Sequence, residues 1–169
     1  MSTSMILISV ALILATFAPF IILNNSGKGE AKAISKKIKE IATREGLKFH
    51  LKESWGNSFI AIDRMQKVVL FAKATDRDVD IKRIDLIQVD KCTIHKKSKL
   101  ERSHTGNTNV LQKLDLEITF LAHHKEACLL NFYDVDHAIS EDYEMQRAEK
   151  WETVINEAVK TAVQEKKVA

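Results

Sequence analysis

The chain has 169 residues, of which 26 are lysine or arginine and 23 are aspartate or glutamate, so its formal net charge is only +3. Charges of both signs are interspersed along the chain, unlike the concentrated basic character of a nucleic-acid-binding domain. About 120 residues follow the N-terminal segments described below, enough for one domain with its own core but hardly for two. Length and charge therefore indicate a single globular domain and point away from nucleic acid.

A run of nineteen uncharged residues, MILISVALILATFAPFIIL, occupies positions 5–23. As a helix it would span roughly 28 Å, close to the ~30 Å hydrocarbon core of a bilayer. A cleaved signal peptide is the main alternative, but it needs a basic segment before a shorter apolar run, and residues 1–4 contain no lysine or arginine. We therefore expect residues 1–23 to form a short external N-terminus and a retained, single-pass transmembrane helix.

The basic residues after this run predict its orientation. Positive residues close to a membrane span remain on the cytoplasmic side. We therefore expect the N-terminus outside the cell and the globular part in the cytoplasm, at the inner face of the plasma membrane. Two cysteines, Cys92 and Cys128, are compatible with a reducing compartment. The basic residues concerned are Lys28, Lys32, Lys36, Lys37, Lys39 and Arg44.

Residues 24–46 are the predicted connection between the anchor and the domain. The first part, NNSGKGE, is typical of a short flexible linker. A helix is expected from Glu30 to the residue before Gly46, because glycine favours the position after a helix C-terminus. This helix would be a spacer, a self-association helix or a flap on the domain. The isoleucines at helical spacing are Ile34, Ile38 and Ile41.

Residues 47–169 alternate apolar and polar side chains in the way that is typical of half-buried strands. The clearest predicted strand covers residues 113–120, and a polar loop is expected before it at 98–109. The segment 81–97 predicts two short strands or one strand with a bulge. The other strands are expected in LKFHL (47–51), SFIAID (58–63), KVVLFAK (67–73) and EACLLNFYD (126–134).

A long helix is predicted at the end of the chain, from about Ser140 to Glu165. Trp151 lies in its apolar stripe and is expected to anchor the core. About seven antiparallel strands followed by one amphipathic helix predict an α+β fold in which the strands curl into a barrel and the helix covers its open end. The stripe consists of Ala148, Trp151, Ile155, Ala158 and Ala162.

This order of elements resembles the pleckstrin-homology-like barrel. The segments SFIAIDRMQKVVLFAK, IDLIQVDKCTI, LDLEITF, LLNFYD and AEKWETVINEA are similar to those of an uncharacterised group of bacterial membrane-anchored proteins of that type. The resemblance covers residues 47–165. It implies a fold and a membrane location but no reaction, since the matching positions belong to the core and to turns.

The sequence contains no convincing catalytic, metal-binding or phosphate-binding motif. On a strand, the side chains of Cys92 and His95 point to opposite faces, and no second pair completes a zinc site. His123 and His124 are adjacent in an expected turn and are interpreted as solvated. The glycines of SGKG (26–29) lack the spacing of a phosphate-binding loop. We therefore expect no catalytic residue, no metal and no cofactor.

The most promising local feature is a basic cluster at a strand end and in the loop after it. At the inner face of a membrane such a loop would meet anionic headgroups, each lysine or arginine contributing about 1 kcal/mol. A solvated loop without a ligand is the alternative. Nucleic acid is a weak third candidate, because no aromatic side chains interleave with the lysines. The candidate residues are Lys91, Lys96, Lys97, Lys99 and Arg102, with His95 and His104 beside them.

These features predict a membrane-tethered, non-catalytic interaction module that binds a protein partner or the inner membrane surface. One alternative is a small-molecule or lipid binder that uses the barrel interior. Another is an accessory subunit of a membrane enzyme. The inward positions of the strands carry medium and large apolar side chains that would fill a small barrel, which favours the interaction module.

Overall fold

The structure is a computed structural model that describes residues 29–75, 78–103, 106–122, 124–136 and 143–168, and the side chains of all of these except 101–103, 106–108 and 166–168. The elements in chain order are helix α1 (29–45), strands β1 (Leu51–Trp55), β2 (Ser58–Asp63), β3 (Val68–Ala74) and β4 (Val79–Asp85), a 3-10 turn (Leu86–Gln88), strands β5 (Val89–Ser103), β6 (Gly106–Phe120) and β7 (Cys128–Asp134), and helix α2 (Glu144–Val168).

The strands form two separate antiparallel sheets, so the predicted pleckstrin-homology-like barrel is wrong. The first sheet has the order β1-β2-β3-β4 and the second the order β5-β6-β7. The 3-10 turn interrupts the chain between β4 and β5. Asp85 stabilises this turn, because its Oδ1 accepts a hydrogen bond of 3.0 Å from the amide of Ile87. In addition, side chains of α2 occupy the edge of β5 that another strand would need in order to continue the sheet.

The predicted fold also included a transmembrane helix, and its residues, 5–23, lie outside the described ones. Neither helix in the part of the chain that the structure describes is long and apolar enough to cross a membrane.

The chain divides into two compact units, and in the described residues the first consists of 29–47, 53–59 and 72–81. Helix α1 ends before Gly46, which has a φ of 66°, and the amide of Leu47 then donates to the carbonyl of Ala42 at 2.9 Å. Lys37 of α1 forms an ion pair with Asp78. The buried apolar residues of this unit are Ile34, Ile38, Leu47, Trp55, Phe59, Ala72, Ala74 and Val79.

The second unit consists of residues 48–52 and 60–71 and the described part of 82–169. Helix α2 contacts all three strands of the second sheet and the 3-10 turn. Trp151 of α2 is completely buried, in agreement with its predicted role in the core. Phe71 of β3 and Phe132 of β7 stack with their ring centroids 6.0 Å apart. Other fully buried side chains here are Ile60, Ile62, Leu70, Leu86, Leu114, Leu116, Ile118, Leu130 and Ile155.

Candidate functional site

Strands β5 and β6 form a long hairpin that extends beyond the rest of the second sheet. Their pairing runs from Val89 opposite Phe120 to Ser103 opposite Gly106. Strand β7 pairs with β6 only as far as Lys113. One more bond follows, from the amide of Val135 to the carbonyl of Gln112 at 3.0 Å, and beyond it the hairpin continues as two strands, with no third strand added from the described residues. We call residues 96–103 and 106–112 the hairpin arm.

The hairpin arm corrects the prediction of a polar loop at 98–109. Apart from residues 104 and 105, which are not described, this segment is paired strand. A register shift between Lys97 and Ser98 places the extra residue on β6, where Gln112 lies between the partners Lys113 and Leu111. Such a bulge bends the ribbon and increases its twist.

All five candidate basic residues lie on β5. Lys91, Lys96, Lys97 and Lys99 are exposed, whereas Arg102 is described only by its backbone, which is paired with Asn107. Because side chains alternate along a strand, Lys91, Lys97 and Lys99 share one face, and Lys96 lies on the other. The candidate residues are therefore distributed over both faces of one ribbon. His104 lies outside the described residues.

Carboxylates lie beside some of the basic side chains near the base of the hairpin arm. Nε2 of His95 lies 2.6 Å from Oε2 of Glu117, and Nζ of Lys113 lies 3.6 Å from Oδ2 of Asp115. Asp115 is also held by the Nδ2 of Asn131, which donates to its Oδ1 at 2.8 Å. These carboxylates lie on the same face as Lys91, Lys97 and Lys99.

Further along the hairpin arm the positive charge is not compensated. Lys97 is directly opposite Lys113 in the ladder, and like charges in this position repel each other, although the ion pair of Lys113 with Asp115 offsets part of this repulsion. No described carboxylate forms an ion pair with Lys96, Lys97 or Lys99. The hairpin arm therefore carries a net positive charge, since its sequence has four basic residues, Lys96, Lys97, Lys99 and Arg102, against one acidic residue, Glu101.

Helix α2 covers the beginning of the outer edge of β5. The amide of Cys92 donates to Oδ1 of Asn156 at 2.9 Å, and Nδ2 of Asn156 donates back to the carbonyl of Cys92 at 2.9 Å. The amide of Ile94 donates to Oε1 of Glu152 at 3.0 Å. Glu152 and Asn156 are four residues apart on the helix, and their partners Ile94 and Cys92 are two residues apart on the strand. Both separations correspond to about 6 Å, so each side chain lies opposite its own backbone partner.

Sequence reasoning missed this arrangement. The only signal was the presence of two polar residues, Glu152 and Asn156, one turn apart beside the apolar stripe of α2. Side chains at this spacing lie on one face of a helix, but the pattern does not reveal which backbone groups they meet.

The environment of Cys92 argues against reactivity. Burial raises the pKa of its thiol to about 12, and the neighbouring charge of Glu152 acts in the same direction. Since the thiolate is the nucleophile and the metal ligand, this side chain is inert at neutral pH. Its side chain is buried while that of His95 is exposed on the opposite face. Among the described residues no three histidine, cysteine or carboxylate side chains gather into a metal-binding group.

A groove of about 170 Å³ lies between the β2–β3 turn and the C-terminal half of α2. The ion pair between Lys67 and Glu165, 2.6 Å long, crosses this part of the surface. Ligand pockets usually occupy about 300–1,000 Å³, so this groove is small for a binding site. A ligand inside a barrel, the alternative considered from the sequence, would also require a barrel that the sheets do not form.

Comparison of the chain with protein-family models, with curated proteins and with solved structures gave no match in any of the three cases. The similarity to pleckstrin-homology-like proteins therefore stays a prediction from the sequence. The hairpin arm is the feature from which a function can be inferred.

Proposed function

We propose that the protein is a membrane-tethered, non-catalytic interaction module whose hairpin arm binds the anionic inner surface of the plasma membrane. The observation that supports this best is the row of exposed lysines on a two-stranded ribbon without compensating carboxylates among the described side chains. The tether is the apolar segment 5–23, and the lysines that follow it favour the cytoplasmic side.

Anionic headgroups would lower the electrostatic energy of the hairpin arm. Each lysine or arginine near such a surface contributes about 1 kcal/mol, and the repulsion between Lys97 and Lys113 would decrease when anions approach. A few kcal/mol is weak for a free domain. A tether compensates for this, because it keeps the hairpin arm at high effective concentration near the surface.

The test is a proximity measurement on the full chain reconstituted into vesicles. A fluorophore is attached to a cysteine at Asn109, an exposed position on the arm, in the background Cys128→Ser. The remaining thiol, Cys92, is buried and would not be labelled. We expect headgroup-bound quenchers to reduce the fluorescence strongly in anionic vesicles and weakly in neutral ones, and we expect added salt to diminish the difference.

Two charge variants complete this experiment. The first neutralises the hairpin arm and should abolish the preference for anionic lipid. The second removes the same number of charges from exposed positions elsewhere and should retain it. Equal quenching in both lipids, or equal effects of the two variants, would show that the arm is only a solvated ribbon. The first variant carries glutamine at Lys96, Lys97, Lys99 and Arg102, and the second carries it at Lys52, Arg83, Lys150 and Lys160.

A further inference from the structure

We propose that the outer edge of β5 in the hairpin arm binds an extended acidic segment of a partner protein, which adds to the sheet as a further strand beside Lys96, Ser98 and Leu100. This inference does not rest on membrane binding, because it uses backbone groups at the edge of the strand in addition to the lysine side chains. It assigns a class of protein partner to the backbone edge of the hairpin arm, which the proposed function does not use.

The direction of the backbone groups follows from the contacts with α2. The amides of Cys92 and Ile94 donate to side chains of the helix and therefore point away from β6. Backbone groups of alternate residues in an antiparallel strand point to the same side. The amides of Lys96, Ser98 and Leu100 consequently point to the same outer edge.

The cover provided by α2 ends before this part of the strand. Glu152 and Asn156 bond to Ile94 and Cys92, and no described residue donates to or accepts from the outward backbone groups of Lys96, Ser98 and Leu100. A row of unpaired donors and acceptors on a strand edge is a template for another extended chain.

The charges of the hairpin arm indicate which kind of chain binds at this edge. A second copy of this chain, paired edge to edge, would bring lysines of one arm close to lysines of the other, which is unfavourable. Carboxylates that face Lys97 and Lys99 would be attracted instead. On the opposite face Leu100 is 56% exposed and offers an apolar contact. The matching segment therefore alternates Asp or Glu with apolar, β-branched residues.

Peptide binding to the full chain in neutral-lipid nanodiscs tests this inference. The probe is a short fluorescent peptide that alternates glutamate and valine. The controls are the same peptide with lysine in place of glutamate, and one with proline at alternate positions, which cannot pair as a strand. We expect saturable binding of the glutamate peptide only, with slower hydrogen exchange at the amides of Lys96, Ser98 and Leu100.

Ser98→Pro separates edge pairing from simple charge attraction. It removes one outward amide without removing a bond to β6, and proline is tolerated at strand edges and bulges. We expect Ser98→Pro to bind the peptide about tenfold more weakly, because one hydrogen bond to the peptide is lost and the neighbouring bonds are displaced. Ser98→Ala, which keeps the amide, should bind the peptide normally. Lipid-dependent quenching should be unchanged in Ser98→Pro, whereas neutralising the lysines should reduce both kinds of binding.

Several results would overturn the inference. These are equal binding of the glutamate and lysine peptides, no slowing of exchange at the three outward amides, and normal peptide binding by Ser98→Pro. If circular dichroism shows that Ser98→Pro does not fold, the exchange measurement on the unmodified chain decides alone. A normal peptide result with failed lipid quenching would contradict the membrane proposal and leave this one in place.

Discussion

Asn156 and Cys92 are 64 positions apart in the chain and are joined by two hydrogen bonds, both 2.9 Å long. One amide side chain satisfies both the N–H and the C=O of a strand residue, as the next strand of a sheet would. The helix thus terminates the second sheet by imitating a strand. This explains why the second sheet ends at β5 and does not continue into β4.

We expect Asn156→Ala to destabilise the domain by about 1–3 kcal/mol, since it leaves two partly buried backbone groups without a partner. Asn156→Asp should cost at least as much, because it places a carboxylate oxygen against the carbonyl of Cys92. Urea unfolding of the full chain in detergent measures both. The exposed Lys160→Ala, on the same helix, should change stability by less than about 0.5 kcal/mol. Equal values for Asn156→Ala and Lys160→Ala would contradict the edge-capping role.

Trp151 is completely buried and should be the most sensitive position of α2. We expect Trp151→Ala to reduce the free energy of unfolding by about 3–5 kcal/mol, the usual cost of deleting a large aromatic side chain from a core. Tyr143 provides the control, because it precedes the same helix and is 72% exposed. Its replacement by alanine should have little effect. A loss below about 1 kcal/mol for Trp151→Ala would be incompatible with the packing described here.

Asp63 should make the stability of the domain depend on acid pH. It accepts hydrogen bonds from the amides of Lys48, Met65 and Gln66 at 2.6, 2.9 and 3.0 Å. Burial alone would raise its pKa, but these three donors and the nearby His50 together lower the pKa below its ordinary value. A carboxyl whose pKa is lower in the folded state stabilises the fold above its unfolded pKa of about 3.9, and this contribution disappears as the pH falls through the folded value.

The corresponding measurement is urea unfolding at pH 6 and at successively lower pH. Asp63→Asn should destabilise the protein at pH 6, because an amide cannot accept all three bonds. The difference in the free energy of unfolding between Asp63→Asn and the natural chain should become smaller as the pH falls. The exposed Asp90→Asn is the matched surface control and should change the stability at pH 6 by less than about 0.5 kcal/mol. A constant difference between Asp63→Asn and the natural chain over the whole range would show that the charge of Asp63 is not involved.

The two cysteines should differ strongly in reactivity. Burial raises the pKa of Cys92 to about 12 and its side chain is only 3% exposed, whereas Cys128 is partly exposed. At pH 8 a thiol–disulfide exchange reagent should modify Cys128 quickly. It should modify Cys92 only when urea unfolds the domain. In Cys128→Ser no fast reaction should remain. Fast labelling of that variant under native conditions would contradict the burial of Cys92.

Lys97→Glu should have opposite effects on stability and on binding. It replaces the repulsion between Lys97 and Lys113 by an attraction, which is worth about 0.2–1 kcal/mol for a cross-strand pair. We therefore expect a slightly higher Tm together with weaker binding to anionic vesicles. Lys97→Gln should lie between the natural chain and Lys97→Glu, both in Tm and in binding to anionic vesicles. A lower Tm for Lys97→Glu would mean that the repulsion is not felt in the folded protein.

Several elements of the fold could be predicted because one of their faces is buried. Segment 113–120 alternates apolar and polar residues, and segment 58–63 has a continuous apolar centre, FIAI; both are strands in the structure. The stripe through Trp151 and Ile155 likewise marks the buried side of α2. In these segments the hydrophobic pattern directly reports the periodicity of the backbone.

The hairpin arm could not be predicted in this way. Residues 95–100 are exposed on both faces, so their strand has no apolar alternation and reads as a polar loop. The separation into two sheets was missed for a different reason. It depends on contacts between Asn156 and Cys92 that are distant in sequence, and local patterns carry no information about such partners.

The turn that joins β2 and β3 has a consequence for the order of folding. Every residue of β2 is buried, and Asp63, its last residue, closes the turn at 64–67 through the amides of Met65 and Gln66. Contacts this local require little loop-closure entropy and form early, whereas the bonds between α2 and β5 join distant parts of the chain. A nascent chain can therefore build the β2–β3 hairpin long before its C-terminal helix is synthesised. Until then the edge of β5 is unprotected, which makes this strand the place where incomplete chains are most exposed to aggregation.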